Sequence, residues 1–221
     1  MFTTSEENYL KAIFHLQTEM EGGVSTSRLS EFMETKAASV TEMLKKLADK
    51  LLVHYRKYYG VNLTETGEKH ALLIVRKHRL WEYFLVERLN FNWDEVHDVA
   101  EQLEHIKSPK LVEELDRFLG HPTHDPHGDP IPDAKGNLPQ TARVKLSQLQ
   151  EGDFAVCKGF ADTSSPFLQY LAKQRIGLNT RFEILALESF DGSMTVRIDR
   201  EEKLLSKMVT ENIYVEILNE P

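Results

Sequence analysis

Between Trp93 and His105 the chain runs Trp-Asp-Glu-Val-His-Asp-Val-Ala-Glu-Gln-Leu-Glu-His. On a helix, at ~100° per residue, His97, Glu101, Glu104 and His105 fall within an arc of roughly 100°. Upstream, His78 and Glu82 are one turn apart and share a face in the same way. Imidazole and carboxylate together suit Mn2+, Fe2+ or Zn2+, and no thiol takes part. The single cysteine, Cys157, excludes an internal disulfide and a cysteine-based zinc framework, and it reads as a small residue on a core strand. Taken alone, the four residues from His97 to His105 also fit a solvated helix face with incidental i,i+4 pairs. The second stripe on a neighbouring helix favours a metal.

The elements that must position these residues can be read from apolar spacing. Glu7 to Gln17 is predicted helical, with Tyr9, Leu10, Ile13, Phe14 and Leu16 inward. Gly22-Gly23 breaks it, and Ser25, Thr26 and Ser27 offer hydroxyl caps for a short helix carrying Leu29, Phe32 and Met33. A turn over 34–38 leads to a second helix from about Ser39 to Lys50, with Val40, Met43, Leu44 and Leu47 inward. Two short β-prone runs around Lys57 and Gly60 then read as a hairpin, so that 1–72 forms a winged helix-turn-helix. Thr64 caps a long helix to about Leu89, and Asn92 to Glu95 form a capping box for the helix carrying His97 to His105. Ser108-Pro109 starts another helix, and Gly120 stops it.

From His121 to Gln140 the chain turns to Pro, Gly, His and Asp, as a boundary or long connection would. His121, His124 and His127 read there as parts of a structural loop. Beyond it, short strands over 154–158, 180–187, 193–198 and 213–218, with a helix over 166–174, suggest a small β-barrel. The expected class is therefore mainly α with a C-terminal β domain. Its domains are 1–72 for DNA binding, a helical 73–140 that carries the metal-competent stripes, and 141–221.

Formal net charge is −8 over 221 residues, yet 36–57 holds Lys36, Lys45, Lys46, Lys50, Arg56 and Lys57 against Glu42 and Asp49. A local basic patch matters more for phosphate contact than the total does. The acidic excess falls in 73–140, with the metal-competent stripes. No apolar run approaches the ~18 residues of a membrane span, and the acidic start Met-Phe-Thr-Thr-Ser-Glu-Glu is no export signal. A cytoplasmic protein with no membrane partner and no small organic substrate is expected.

Arg76-Lys77-His78-Arg79-Leu80-Trp81-Glu82, Val96-His97-Asp98 with Glu101, Glu104 and His105, and Asp125-Pro126-His127-Gly128-Asp129-Pro130-Ile131-Pro132 together resemble the diphtheria toxin repressor family. The order of winged helix, dimerisation helices and SH3-like (FeoA-like) domain is similar across nearly the whole chain. The resemblance makes 73–140 the metal-binding and dimerisation domain. It implies a homodimer that binds a palindromic double-stranded DNA operator when loaded with metal and represses metal-uptake genes. It assigns His78, Glu82 and His97 to an ancillary metal site, and Glu101, Glu104 and His105 to the activating one. A carboxylate at Glu101, where iron-type members carry cysteine, leans towards Mn2+, with Fe2+ the alternative and Zn2+ or other divalent cations able to bind in vitro.

The N-terminal helix of the family supplies Met or Asp where this chain has Asn8, whose amide oxygen is a neutral ligand; Glu7 or a water is the alternative. Manganese-type members often add an acidic residue where this chain has Lys11. The family's two ligands from the SH3-like domain align near Ser164 and Phe167, which cannot both coordinate, and Asp162 stands nearby. The expected DNA-facing set is Ser27, Lys36, Ser39, Thr41, Glu42, Lys45, Arg56 and Lys57. Within it Glu42 is able to accept from cytosine N4, while Arg56 and Lys57 meet phosphates. A di-metal carboxylate enzyme and a winged-helix sensor of an organic ligand are the rival readings. The first is suggested by Glu101-x-x-Glu104-His105. Ferritin-like sites, however, need Glu-x-x-His on two helices with partner glutamates on two others, and this chain has the single cluster.

Overall fold

The computed structural model describes residues 2–19, 22–139 and 143–218. The chain divides into two compact units: Met1–Trp81 with Ala100–His121 and Ile131–Leu138, and Glu82–Val99 with Pro122–Pro130 and Pro139–Pro221. The expected boundary at 140/141 lies outside the described residues.

The first unit opens with α1 (Thr4–Glu19), which runs beyond the expected 7–17 because Thr3 and Glu6 cap its start reciprocally. Ser25 caps α2 (Thr26–Phe32) by accepting from Arg28 N. Next comes α3 (Ala37–Asp49), which begins two residues before the expected Ser39. Its N-cap is Lys36, with no side-chain cap, so Ser39 lies inside the first turn and is not a cap. Strands β1 (Val53–Arg56) and β2 (Gly60–Leu63) pair antiparallel from Val53↔Leu63 to Arg56↔Gly60, making the wing. Leu10, Ile13 and Leu16 of α1 close with Leu29, Val40, Leu44, Leu47 and Val61 into one buried core, which fixes α3 beneath the wing.

Thr64 Oγ1 accepts from Gly67 N at 3.0 Å and starts α4 (Glu65–Leu89). A side chain at Gly67 would strike the Leu52 carbonyl, which holds the start of α4 against the end of the recognition segment. The next helix, α5 (Val96–Leu103), stops short of the expected Glu104 and His105. Glu104 N still reaches Ala100 O at 2.9 Å, but Ile106 N closes on Leu103 O, three residues back, and the chain turns ahead of Pro109. α6 (Pro109–Phe118) starts at the Ser108 cap, and Gly120 follows it at φ +76°.

The second unit is built on one six-stranded antiparallel sheet in the order β3-β8-β4-β5-β6-β7. Its strands are β3 (Val144–Lys145), β4 (Phe154–Phe160), β5 (Arg181–Leu187), β6 (Met194–Ile198), β7 (Glu201–Leu205) and β8 (Ile213–Leu218). α7 (Ser165–Lys173) and α8 (Lys207–Thr210) interrupt them. Neither β7 nor α8 is legible in the sequence, because Glu201-Glu202-Lys203 has no apolar alternation. Cys157 is fully buried on β4, as expected, and burial pushes its thiol up to about 12. Among the described residues no helix is long and apolar enough to cross a membrane.

Candidate metal centre and DNA-facing surface

In the first unit α1 and the end of α5 bring acidic and imidazole groups together. Glu104 is wholly buried, and His78 Nδ1 on α4 lies 2.6 Å from its Oε2. His105 Nδ1 lies 2.7 Å from Oε2 of Glu7, and Glu101 is half-buried. A cation already stands among them. Lys11 Nζ contacts Glu101 and lies 2.8 Å from both carboxylate oxygens of Glu104. Burial opposes ionisation of Glu104, but His78 and Lys11 outweigh it and hold the carboxyl below its ordinary value.

Two buried acceptors, Asn8 Oδ1 and Glu104 Oε1, have no hydrogen-bond partner among the described residues. The Lys11 contact to Oε1 is ionic only. Orphaned buried oxygens are costly, and hard oxygen acceptors with imidazole are the donors a divalent cation takes. The residues therefore fit such an ion.

The second unit holds another set. Glu82, Asp125 and His127 are all buried and each offers a ligand atom within 4.8 Å of the others. His127 Nε2 donates to Trp93 O at 2.7 Å, which leaves Nδ1, 3.8 Å from Glu82 Oε2, as the lone-pair nitrogen of the neutral ring. Burial lowers the pKa of His127, but Glu82, Asp125 and the Trp93 carbonyl raise it further, to about 9. Asp125 Oδ1 accepts from the backbone N of His127 and of Asp129, which shapes the turn. Gly128, at φ +87°, lies so close to β4 that a Cβ would strike Lys158 O, so the turn seats on the sheet and Phe160 N reaches His127 O.

His97, expected to share the stripe, has an exposed side chain, with Nδ1 3.4 Å from Glu82 Oε1. The sequence reads His127 as part of a structural loop and assigns Asp125 no ligand role, whereas the structure sets both beside Glu82. The signal available was Asp125-x-His127 flanked by Pro and Gly, which is weak without a partner from a distant helix. His121 and His124 keep the loop reading: His121 pairs with Asp116 and His124 meets Thr123. Asp162 Oδ1 accepts from Ser164 N at 2.8 Å.

The residues expected to face DNA are mostly on the surface of the winged helix. Ser27, Lys36, Ser39, Glu42, Lys45, Arg56 and Lys57 are exposed, and Thr41 is half-buried with its hydroxyl turned back onto Ala37 O. Ser27, Lys36 and Ser39 line an open groove of about 610 Å3 between α2 and α3. Lys57 Nζ stands 5.0 Å above the ring of exposed Tyr58 at the wing tip.

A winged helix-turn-helix that shares its first helix with an oxygen-rich cation centre has the make-up of a cation-responsive DNA-binding regulator. The chain matches the models for the iron dependent repressor N-terminal DNA binding domain over 1–61, the iron dependent repressor metal binding and dimerisation domain over 64–133, and the FeoA domain over 144–217. It is 28% identical to the diphtheria toxin repressor of Corynebacterium efficiens, over 97% of this chain and 90% of that protein. To the iron-dependent repressor IdeR of Mycobacterium leprae it is 32% identical, over 66% of this chain and 64% of that protein.

A solved manganese-dependent transcriptional repressor in complex with manganese superposes with a TM-score of 0.86 at 38% identity. The match covers 96% of this chain and 100% of that one. Over their matches the chain spans between 30% and 64% of the length of the first curated relatives. The chain belongs to the diphtheria toxin repressor/IdeR family of metal-dependent transcriptional repressors. These families are DNA-binding regulators and not enzymes, which sets the di-metal enzyme aside.

Proposed function

We propose that this chain is a cytoplasmic, Mn2+-activated repressor, with Fe2+ the alternative, that binds a palindromic operator as a homodimer and controls metal-uptake genes. The observation that carries the reading is the meeting of Glu101 and Glu104 on one buried ammonium, Lys11 Nζ, with His78 against Glu104 and His105 beside it, while the buried carbonyl of Asn8 on α1 has no hydrogen-bond donor among the described residues. The manganese complex of the solved relative supports the choice of metal. The order of the divisions 1–72, 73–140 and 141–221 is supported by three family models in the same order over 1–61, 64–133 and 144–217, the first of which ends before 72.

When bound, a divalent cation would supply a fixed positive charge to carboxylates that in its absence are bridged by the Lys11 ammonium. Glu101, Glu104 and His105 hold that charge from the end of α5, and Asn8 offers its amide oxygen from α1. Because α1 packs in the same core as α3, drawing Asn8 towards the end of α5 holds the recognition helix in place. Ser39, Thr41, Glu42 and Lys45 then face base edges, Ser27 and Lys36 flank them, and Arg56 and Lys57 meet phosphates. We assign His78, Glu82 and His97, with Asp125 and His127 around Glu82, to a second cation position.

The test is selection of bound duplexes from a random pool with and without Mn2+ under strict chelation. A palindromic consensus recovered only with Mn2+ is expected. Equal recovery without metal would overturn the reading.

A further inference from the structure

We propose that Lys11 is a tethered cation that competes with the divalent metal for Glu101 and Glu104, and so sets the metal concentration at which this centre fills. The inference rests on the metal reading above and adds to it the residue that tunes the threshold.

Lys11 is 8% exposed, so its ammonium is largely stripped of water and a long side chain is held in one arrangement. Both are costly, and a buried ammonium persists only where carboxylates repay it. Here two do, Glu101 and Glu104. Yet the ammonium does not satisfy every acceptor here, since Asn8 Oδ1 is buried without a hydrogen-bond donor among the described residues and Glu104 Oε1 meets Lys11 only as an ion pair at 2.8 Å. A divalent ion coordinates several oxygens at once, which an ammonium with three directional N–H donors does not. The two cations therefore want the same carboxylates for different reasons.

Charge counting makes the competition exclusive. Glu7, Glu101 and Glu104 carry three negative charges against the positive charges of Lys11 and Lys77, so a divalent ion leaves the cluster positive if Lys11 stays and neutral if Lys11 withdraws. Lys77 Nζ stands 3.9 Å from Glu7 Oε1. Lys11 follows Asn8 by three residues and Glu7 by four on α1, so the three share a face. Withdrawal of Nζ, on a flexible four-carbon stem, would free the carboxylates of Glu101 and Glu104 for the incoming ion.

The experiment uses the full, chelator-stripped chain and reads free Mn2+ by electron paramagnetic resonance for wild type, Lys11→Met and Lys11→Arg. Removing the charge in Lys11→Met should lower the half-saturating Mn2+ concentration by about tenfold or more, each factor of ten reporting about 1.4 kcal/mol of lost competition. Lys11→Arg should stay near wild type. Metal-free Lys11→Met should also unfold at a lower temperature than wild type, and Mn2+ should raise its melting temperature by more.

An independent arm needs no variant. In wild type, saturating Mn2+ should make the Lys11 amine reactive to acetylation, read by mass spectrometry, whereas the metal-free protein protects it. Tight Mn2+ binding that is the same in Lys11→Met, or a Lys11 amine equally protected with and without Mn2+, would overturn the role of Lys11 and leave the metal reading standing. No Mn2+ binding by wild type or variants would sink both.

Discussion

Lys50 Nζ, just past the C-terminal end of α3, lies 2.6 Å from Glu6 Oε1 in the first turn of α1. Burial opposes ionisation of Glu6, but Lys50 and the Thr3 amide hold its carboxyl below the ordinary value. The next residue, Glu7, pairs instead with His105. One turn of α1 therefore grips the end of the recognition helix with one carboxylate and the carboxylate–imidazole cluster with the other. This is a route by which occupancy of the centre reaches α3.

Lys50→Met should leave Mn2+ binding near wild type while reducing the gain in DNA affinity that Mn2+ produces by about threefold to tenfold, within the usual range of coupling energies. Parallel isotherms for Mn2+ and for a selected duplex check it. An unchanged gain would show that the Glu6–Lys50 pair carries no coupling. The pair is half-exposed on the lysine side, so the stability cost should stay near 1 kcal/mol or below.

Lys45→Ala and Arg56→Ala should weaken binding to all duplexes alike. Each should reduce the slope of log affinity against log salt by about 0.9, as loss of one phosphate contact does. A change in sequence preference with an unaltered slope would contradict their role as phosphate contacts.

His127 makes a pH prediction for the chelated protein. Its folded-state pKa, about 9, lies above the ordinary 6.5 of an unfolded histidine. The imidazolium held by Glu82 and Asp125 therefore contributes stability that is full below pH 6.5 and is lost as pH rises through 9. The loss is on the order of 3 kcal/mol. Denaturant midpoints across pH 6 to 10 should fall for wild type and stay flatter over that window for His127→Gln. Equal slopes for the two would show that His127 is not held charged.

Glu101→Cys should shift the metal response from Mn2+ towards Fe2+, because a thiolate is a poorer partner for Mn2+, which stands lowest in the divalent affinity order. The ratio of half-activating Mn2+ to anaerobic Fe2+ should rise in the variant. An unchanged ratio would mean that Glu101 does not set the metal.

Most of this fold is legible in the residues. Ser25, Thr64 and Ser108 announce helix starts by hydroxyl caps, and Lys57 to Gly60 announce the wing by turn chemistry, because these signals are local. The end of α5 is not legible, since an i→i−3 closure at Ile106 leaves no mark on apolar spacing. The same limit hid the environment of His127. Its partner Glu82 lies 45 residues away, and Gly128 shows its purpose only once β4 is seen to press on it. Lys11 was legible as a departure from the manganese-type pattern. Only the structure places its ammonium on Glu101 and Glu104.

The central claim is that an ion held by Glu101, Glu104 and His105 switches on DNA binding. It is tested most directly by fluorescence anisotropy of a Mn2+-selected duplex against buffered Mn2+, for wild type, Glu104→Gln and His105→Ala. Wild type should gain affinity by roughly 5- to 150-fold as Mn2+ rises. Both variants should remain at the metal-free level while sedimenting as folded dimers. Either variant retaining the wild-type response to Mn2+ would contradict the account.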